Sequence, residues 1–400
     1  MEFSLNGEEI LLKQEARRFL EKECEIEFVK ELVEDEKGFP SKIWKMMGEL
    51  GWMGVSFDEA YRGDGGSFSD LTLLIEEMGR VLLPGPFFSS VVLAGKTIAL
   101  SRDERIKEKL LPDILTGKVI MTLGLTETEG GYTIDEIESR AERKGDDYVL
   151  NGRKMFVPYA HIANYIIVPA KVSKADGSYG ISLLVVDTRS EGVAIRSLVS
   201  LSLEKQCEVT FTDVKVPGTC VMGRDGNGWA VIRDLWPIAV TAKCCEMLGA
   251  MERVLELTKD HAQKRCQFGH PLAAIQAIQH LLADMAIEIE CARIQTHEAV
   301  WRVSNGLPAE KEVAMAKAWC SDAGKKVTAN AHQIHGAVGF TKEYALHLYS
   351  QYAKASELIF GDATFHKQVV AGEIDSGNTD VFDIAVRRLL LGQASGLTFT

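Results

Sequence analysis

Arg265, Phe268, Gly269 and Gln276 fall close together in RCQFGHPLAAIQAIQHLLADM, the stretch from Arg265 to Met285. Arg265 brings a guanidinium and Gln276 a side-chain amide, and the turn QFGHP, with Gly269 and Pro271, breaks the chain between them. A guanidinium forks onto phosphate oxygens, and the free N–H groups at the start of a helix also attract anions. This combination suits a phosphate or pyrophosphate. The same residues fit a plain αα-hairpin carrying a solvated arginine.

Two helices must hold this stretch in place. Leu248, Met251, Val254, Leu255 and Leu257 recur at helical spacing before it, and Ile278, Leu281, Leu282, Met285, Ile289 and Ala292 do so after it. Arg265 closes the first helix and Gln276 opens the second. His332 and His335 are spaced i and i+3 on a further helix, but no carboxylate stands at metal spacing beside them, so no metal site is expected.

The chain of 400 residues is long enough for two or three domains. Its 46% hydrophobic and 26% charged content is that of a globular protein with a large core. A net charge of −12 provides no broad basic face, which argues against nucleic-acid or membrane-surface binding while leaving room for a local phosphate site. The start, MEFSLNGEEILLKQEARRF, lacks the apolar core of a signal peptide, and no stretch is long and apolar enough to span a membrane. Eight scattered cysteines without a C-x-x-C pair fit reduced thiols in a cytoplasmic protein, and the vicinal Cys244 and Cys245 read as core.

In chain order, residues 1–118 read as helical. Asn6 and Glu9 form a capping-box pattern, Phe39-Pro40 opens a second helix through Trp44 and Met47, and Leu71 to Val81 forms a third. Further helices run from Leu93 to Leu100 and from Glu104 to Leu115. Residues 119–225 change character: VIMTLGL, DYVLNG, KMFVPY, NYIIVPAKV, GISLLVVD, GVAIRSL and CEVTFTDVKVP are short β-branched and aromatic runs between turn residues. Helical periodicity returns at Gly228 and continues almost to Val381, so residues 226–400 read as a helical domain whose tail from Leu389 to Thr400 stands apart.

Several segments resemble the acyl-CoA dehydrogenase family along nearly the whole chain. The opening stretch is similar to that family's R-x-x-F-G-x-x-(L/I)-x-x-x-Q-x-(I/V)-x-x-x-L-A-D-M. FPSKIWKMMGELGWMGV followed by YRGDGG resembles its N-terminal domain, GLTETEGG its T-E-P-G-A-G flavin loop, and NGRKMF its N-G-x-K-x-W. FTDVKVP resembles the end of its middle domain, and QIHGAVGFTKEY its Q-x-H-G-G-x-G segment. The resemblance implies an α+β fold: an N-terminal helical domain, a β-barrel-like middle domain and a C-terminal four-helix bundle. It implies FAD as cofactor and an acyl-CoA thioester as substrate. Its further implications are an electron-transfer flavoprotein as electron acceptor and a tetramer in which neighbouring chains share each flavin.

Carried over position by position, Leu125 and Thr126 match the loop on the flavin ring, and Phe156 stands where the family has a tryptophan over it. Arg265, Phe268 and Gln276 match residues reaching FAD across a subunit interface, and Gln333 and Gly336 match the next segment along the dinucleotide. Pro158 replaces a flavin-facing threonine, Tyr132 a phosphate-facing serine and Ala337 a glycine. The family removes the substrate's α-proton with a glutamate, and neither of its two usual positions holds one here: they are Phe360 and Ala239. Asp362, Glu357 and Asp234 are the remaining candidate bases, with Asp362 also placed to meet a ribose hydroxyl of the cofactor. Phe360 and Gly361 are expected at the thioester, because a backbone N–H polarises an oxygen without needing a side chain. The reading these residues support is a dehydrogenase with a displaced base; the alternatives are the flavin-supporting chain of a heterotetramer whose sister chain carries the base, and a non-redox CoA-thioester enzyme.

Overall fold

The computed structural model of the chain describes residues 5–131, 134–174, 177–223 and 226–376. Tyr132, the end of the helical stretch at Val381 and the tail from Leu389 lie outside the described residues. The chain divides between Ala239 and Val240 into two compact units.

The first unit opens with helices. α1 (Gly7–Glu23) begins with the expected capping box, in which the Asn6 side chain accepts the N–H groups of Glu8 and Glu9 and the Glu9 carboxylate accepts that of Asn6. α2 (Ile26–Glu34) is an addition to the sequence reading, although Ile26, Val29, Leu32 and Val33 recur at helical spacing along it. α3 (Ser41–Glu49) follows Pro40, and α4 (Phe68–Arg80) is capped by Ser67 and Asp70. Buried Glu76 and Glu77 on α4 bind Lys13 (2.6 Å) and Arg17 (2.8 Å) of α1, so a pair of ion contacts fixes how these helices dock. A π-helical segment (Phe88–Gly95) runs into α5 (Lys96–Leu100), and α6 (Glu104–Leu115) completes the set.

The sheet of this unit contains β1 (Met121–Leu123), β2 (Arg140–Lys144), β3 (Asp147–Pro158), β4 (Tyr165–Ser173), β5 (Tyr179–Asp187), β6 (Val193–Leu198), β7 (Gln206–Val216) and β8 (Val221–Met222). The order is β6-β7-β3-β2-β4-β5-β8, with β1 parallel to β4. Side chains from β2, β3, β4, β5, β7 and β8 meet in one core that includes Leu150, Val168, Val186, Val209 and Val221. A sheet gathers so many strands about one core by curling, as in a barrel. DYVLNG and KMFVPY, which read as separate runs, form the single strand β3. Gly152 is no turn there: a β-carbon would lie 2.3 Å from Ser139 Oγ, so the glycine lets two backbones approach. β2 escaped notice because in RAERK only Ala141 is buried, which leaves no hydrophobic alternation to read.

α7 (Gly228–Lys264) starts in the first unit and continues into the second. A small hairpin follows, β9 (Cys266–Gln267) paired with β10 (His270–Pro271), and then α8 (Gln276–Ser304), α9 (Glu310–His335), α10 (Leu346–Leu358) and α11 (Ala363–Ser376). The C-terminal helical domain is present as expected, and the described residues divide it into five α-helices. What looked like one helical run is broken by Gly336 (φ 63°) after α9 and by Phe360 (φ 61°) and Gly361 (φ 94°) after α10. Small residues such as Ala314, Ala316, Ala323 and Gly324 let α9 bury itself among its neighbours. Among the described residues, no helix is long and apolar enough to cross a membrane.

Candidate functional site

In the first unit, the segment after β1 lies along the sheet. Gly124 N–H donates to the Ile167 carbonyl (2.9 Å) and Met155 N–H to that of Thr126 (2.8 Å), leaving Leu125 and Thr126 half-buried. The next residue, Glu127, is the anchor. Its carboxylate accepts Lys154 Nζ at 2.5 Å, Glu138 N–H at 2.8 Å and Ser139 N–H at 3.2 Å. Lys154 is fully buried, and burial pushes its ammonium down to about 8 against the pull of Glu127. Burial acts to raise the Glu127 carboxyl, but Lys154 and the N–H donors outweigh it and hold it below the ordinary carboxylate value. This pair was missed in the sequence. Its two members are 27 positions apart, and their signal was a Glu and a Lys in the two motifs already matched to the flavin site.

Phe156 owes its position to a β-bulge. Lys154 pairs with Val209 and Val157 with Cys207, so Met155 and Phe156 together face one residue of β7. Phe156 takes φ 53° and remains 56% exposed, an aromatic wall with no core to cover it. Pro158 pairs with Gln206 at the end of β3 and offers no N–H there. Asp234 and Ala239 belong to this unit as well: Asp234 lies 3.6 Å from Arg233, and Ala239 is buried.

In the second unit, Arg265 follows α7 directly, its N–H donating to the His261 carbonyl (2.8 Å) and its carbonyl accepting Leu272 N–H (2.9 Å). Phe268 (φ 56°) and Gly269 (φ 86°) are the two turn residues between β9 and β10, the backbone signature of a tight hairpin. Phe268 is thereby held out at 86% exposure. Gln276 is exposed at the start of α8, whose N-cap residue Ile275 offers no side-chain cap to the first N–H groups. Gln333 is exposed near the end of α9, and a β-carbon at Gly336 would meet nothing within 4 Å. His335 braces this end, its Nδ1 2.8 Å from the Ala331 carbonyl, its Nε2 3.0 Å from Tyr344 Oη, and its ring stacked on His261. Among the described residues, no group of three metal-ligating side chains forms.

The turn at Phe360 and Gly361 is in the same unit. Asp362 is the cap of α11, its carboxylate accepting Phe365 N–H at 2.8 Å and its carbonyl accepting His366 N–H at 3.1 Å. Glu357 is buried between two lysines, with one oxygen 3.2 Å from Lys325 Nζ and the other 3.0 Å from Lys354 Nζ. The structure thus brings Phe360, Gly361, Asp362 and Glu357 together, and Arg265, Phe268 and Gln276 together.

A helical N-terminal region, a sheet-forming middle region and a C-terminal helical array are the parts of an acyl-CoA dehydrogenase fold. The chain belongs to the acyl-CoA dehydrogenase family: its N-terminal, middle and C-terminal domain profiles match residues 6–118, 122–214 and 226–374. An acryloyl-CoA reductase (NADH) of Anaerotignum propionicum is 30% identical over 94% of this chain and 96% of its own length. A caffeyl-CoA reductase-Etf complex subunit of Acetobacterium woodii is 30% identical over 90% and 97%. A chain of the ChsE4-ChsE5 complex from Mycobacterium tuberculosis superposes with a TM-score of 0.85 at 26% identity, covering 95% of this chain and all of that one. The chain is accordingly of the oxidoreductase class that acts on CH–CH groups, and its family implies FAD. The residues present fit that cofactor: bare aromatic faces at Phe156 and Phe268, an exposed guanidinium at Arg265 and open space over Gly336.

Proposed function

We propose that this chain binds FAD and an acyl-CoA thioester and takes part in α,β-dehydrogenation as the base-lacking member of a heterotetramer. A sister chain carries the proton-abstracting carboxylate. The observation behind this reading is that Glu357, the buried carboxylate just before Phe360, is ion-paired on both oxygens, while Asp362 spends one oxygen capping a helix and Asp234 lies exposed beside Arg233. A general base needs an oxygen free to reach the proton it removes, and Phe360 and Ala239 have none to offer.

Arg265, Phe268, Gln276, Gln333 and Gly336 would hold the dinucleotide, with Leu125, Thr126 and Phe156 against the flavin ring. Bound FAD supplies the acceptor for the substrate's β-hydride. Phe360 and Gly361 present backbone to the thioester, and an electron-transfer flavoprotein is the expected electron acceptor. A self-sufficient homotetrameric dehydrogenase is the second reading. Glu357 favours it, as the carboxylate three residues before Phe360, provided that substrate binding frees it from Lys325 and Lys354.

The test is flavin per protomer and dehydrogenation by the chain purified alone and with its co-purified sister. Flavin at one per chain with activity alone supports the self-sufficient enzyme, and Glu357→Gln should then abolish turnover. Activity only with the sister, lost when the sister's glutamate is changed, supports the heteromer. A chain that binds no flavin in either state sinks both.

A further inference from the structure

The turn from Glu357 to Asp362 is held from beneath by two buried side chains that the proposed chemistry leaves unused. Lys317 on α9 is fully buried and spends all three ammonium donors on the Glu357 carbonyl (2.9 Å), the Gly361 carbonyl (2.8 Å) and Ser321 Oγ (3.3 Å). It forms no ion pair among the described residues. His366 on α11 is also buried, and its Nε2 lies 2.9 Å from the Phe360 carbonyl. A carbonyl only accepts, so Nε2 carries the proton and Nδ1 is bare. Nδ1 indeed has no hydrogen-bond partner. Burial pushes the ring down to about 3, which keeps it neutral, and the Phe360 carbonyl sets the tautomer.

The consecutive carbonyls of Phe360 and Gly361 are therefore each tied to a buried side chain, His366 or Lys317. Phe360 and Gly361 both hold left-handed backbone, and a β-carbon on Gly361 would lie 2.4 Å from the Phe365 ring. A bulky residue in that region is strained and persists only where its surroundings over-determine it. Burying a lysine without a carboxylate is a poor way to stabilise a helix connection, since apolar packing does so without desolvating a charge. Such a cage fits a backbone that must keep one geometry against a ligand.

We infer that Lys317 and His366 are positioning residues, holding the Phe360–Gly361 turn in the one backbone geometry that receives the carbonyl of an acyl-CoA thioester. The inference rests on the thioester reading above and adds which side chains build that site.

The experiment uses the full chain in its FAD-loaded assembly with carbonyl-labelled acetyl-CoA, which has no β-carbon to oxidise. Isotope-edited infrared spectroscopy reads the thioester carbonyl stretch, and titration reads binding. The native protein should lower the stretch relative to free acetyl-CoA. Lys317→Met and His366→Leu should return it at least halfway to the free value and weaken binding about tenfold, the scale of one lost hydrogen bond. His366→Gln, which restores a donor, should recover the shift. Should Lys317→Met fail to fold, the two His366 variants decide alone. Variants that bind acetyl-CoA with the native stretch would overturn the positioning role. A native protein that leaves the stretch at its free value would overturn the thioester reading itself, and the inference with it.

Discussion

Lys154 in the sheet and Lys317 in the helical array are both fully buried, and burial pushes both down to about 8. Their surroundings differ. Lys154 meets a carboxylate, Glu127, which also gathers two backbone N–H groups. Lys317 meets two carbonyls and a hydroxyl. The first arrangement neutralises charge and ties two segments of chain as a pair of opposite ions. The second uses a charge to orient dipoles, and so fixes backbone direction more than it joins distant parts. The difference teaches what to expect of each on mutation: an ion pair cut in half leaves an orphan charge, whereas a carbonyl cage without its cation leaves dipoles that are only partly satisfied.

The largest effect should come from halving the ion pair. Lys154→Met leaves Glu127 buried and uncompensated and should cost about 3–5 kcal/mol in urea unfolding. Lys154→Met combined with Glu127→Leu should recover most of that loss, and equal losses in the single and double variants would break the comparison. A smaller effect should appear at acid pH from the cage. His366 is held neutral far below its ordinary 6.5, so between about 6.5 and 3 the unfolded chain takes up a proton that the native chain refuses. That contribution is fully present above about pH 6.5 and is lost as pH falls toward 3. His366→Gln should therefore flatten the acid limb of the stability profile, and an unchanged limb would remove His366 from the cage. The smallest effect belongs to Asp362→Ala, which deletes a helix cap worth about 1 kcal/mol. Asp362→Asn, which keeps an oxygen for the cap and a partner for a ribose hydroxyl, should leave turnover in the assembled enzyme within about twofold, whereas its collapse would restore Asp362 as the base.

Much of this was legible because it is local. The capping box at Asn6, the limits of α6 and the breaks around Arg265 and Gln276 depend on residues a few positions apart, which periodicity and turn chemistry reveal. What escaped depends on partners far along the chain. Glu127 and Lys154 look like two surface charges until the fold closes over them, and Lys317 reads as one more polar residue on α9. The left-handed backbone of Phe360 was also out of reach, because only the Gly361 beside it is a residue type that marks such a break. From sequence, the resemblance implied a base at Phe360 or Ala239, neither of which is a carboxylate. Only the structure shows that Glu357 is paired on both oxygens while Asp362 caps a helix.

The bulge beside Phe156 has a consequence for tinkering with this chain. Between Lys154 and Val157, β3 has one residue more than the strand it faces, and Val157 is buried while Phe156 is not. Side chains on a strand alternate, so shortening this step by one residue would exchange inside for outside along the rest of β3. Loops elsewhere can be trimmed or grafted with latitude. Here length itself is quantised, and a graft that imports the aromatic wall of a relative must bring the spare residue with it.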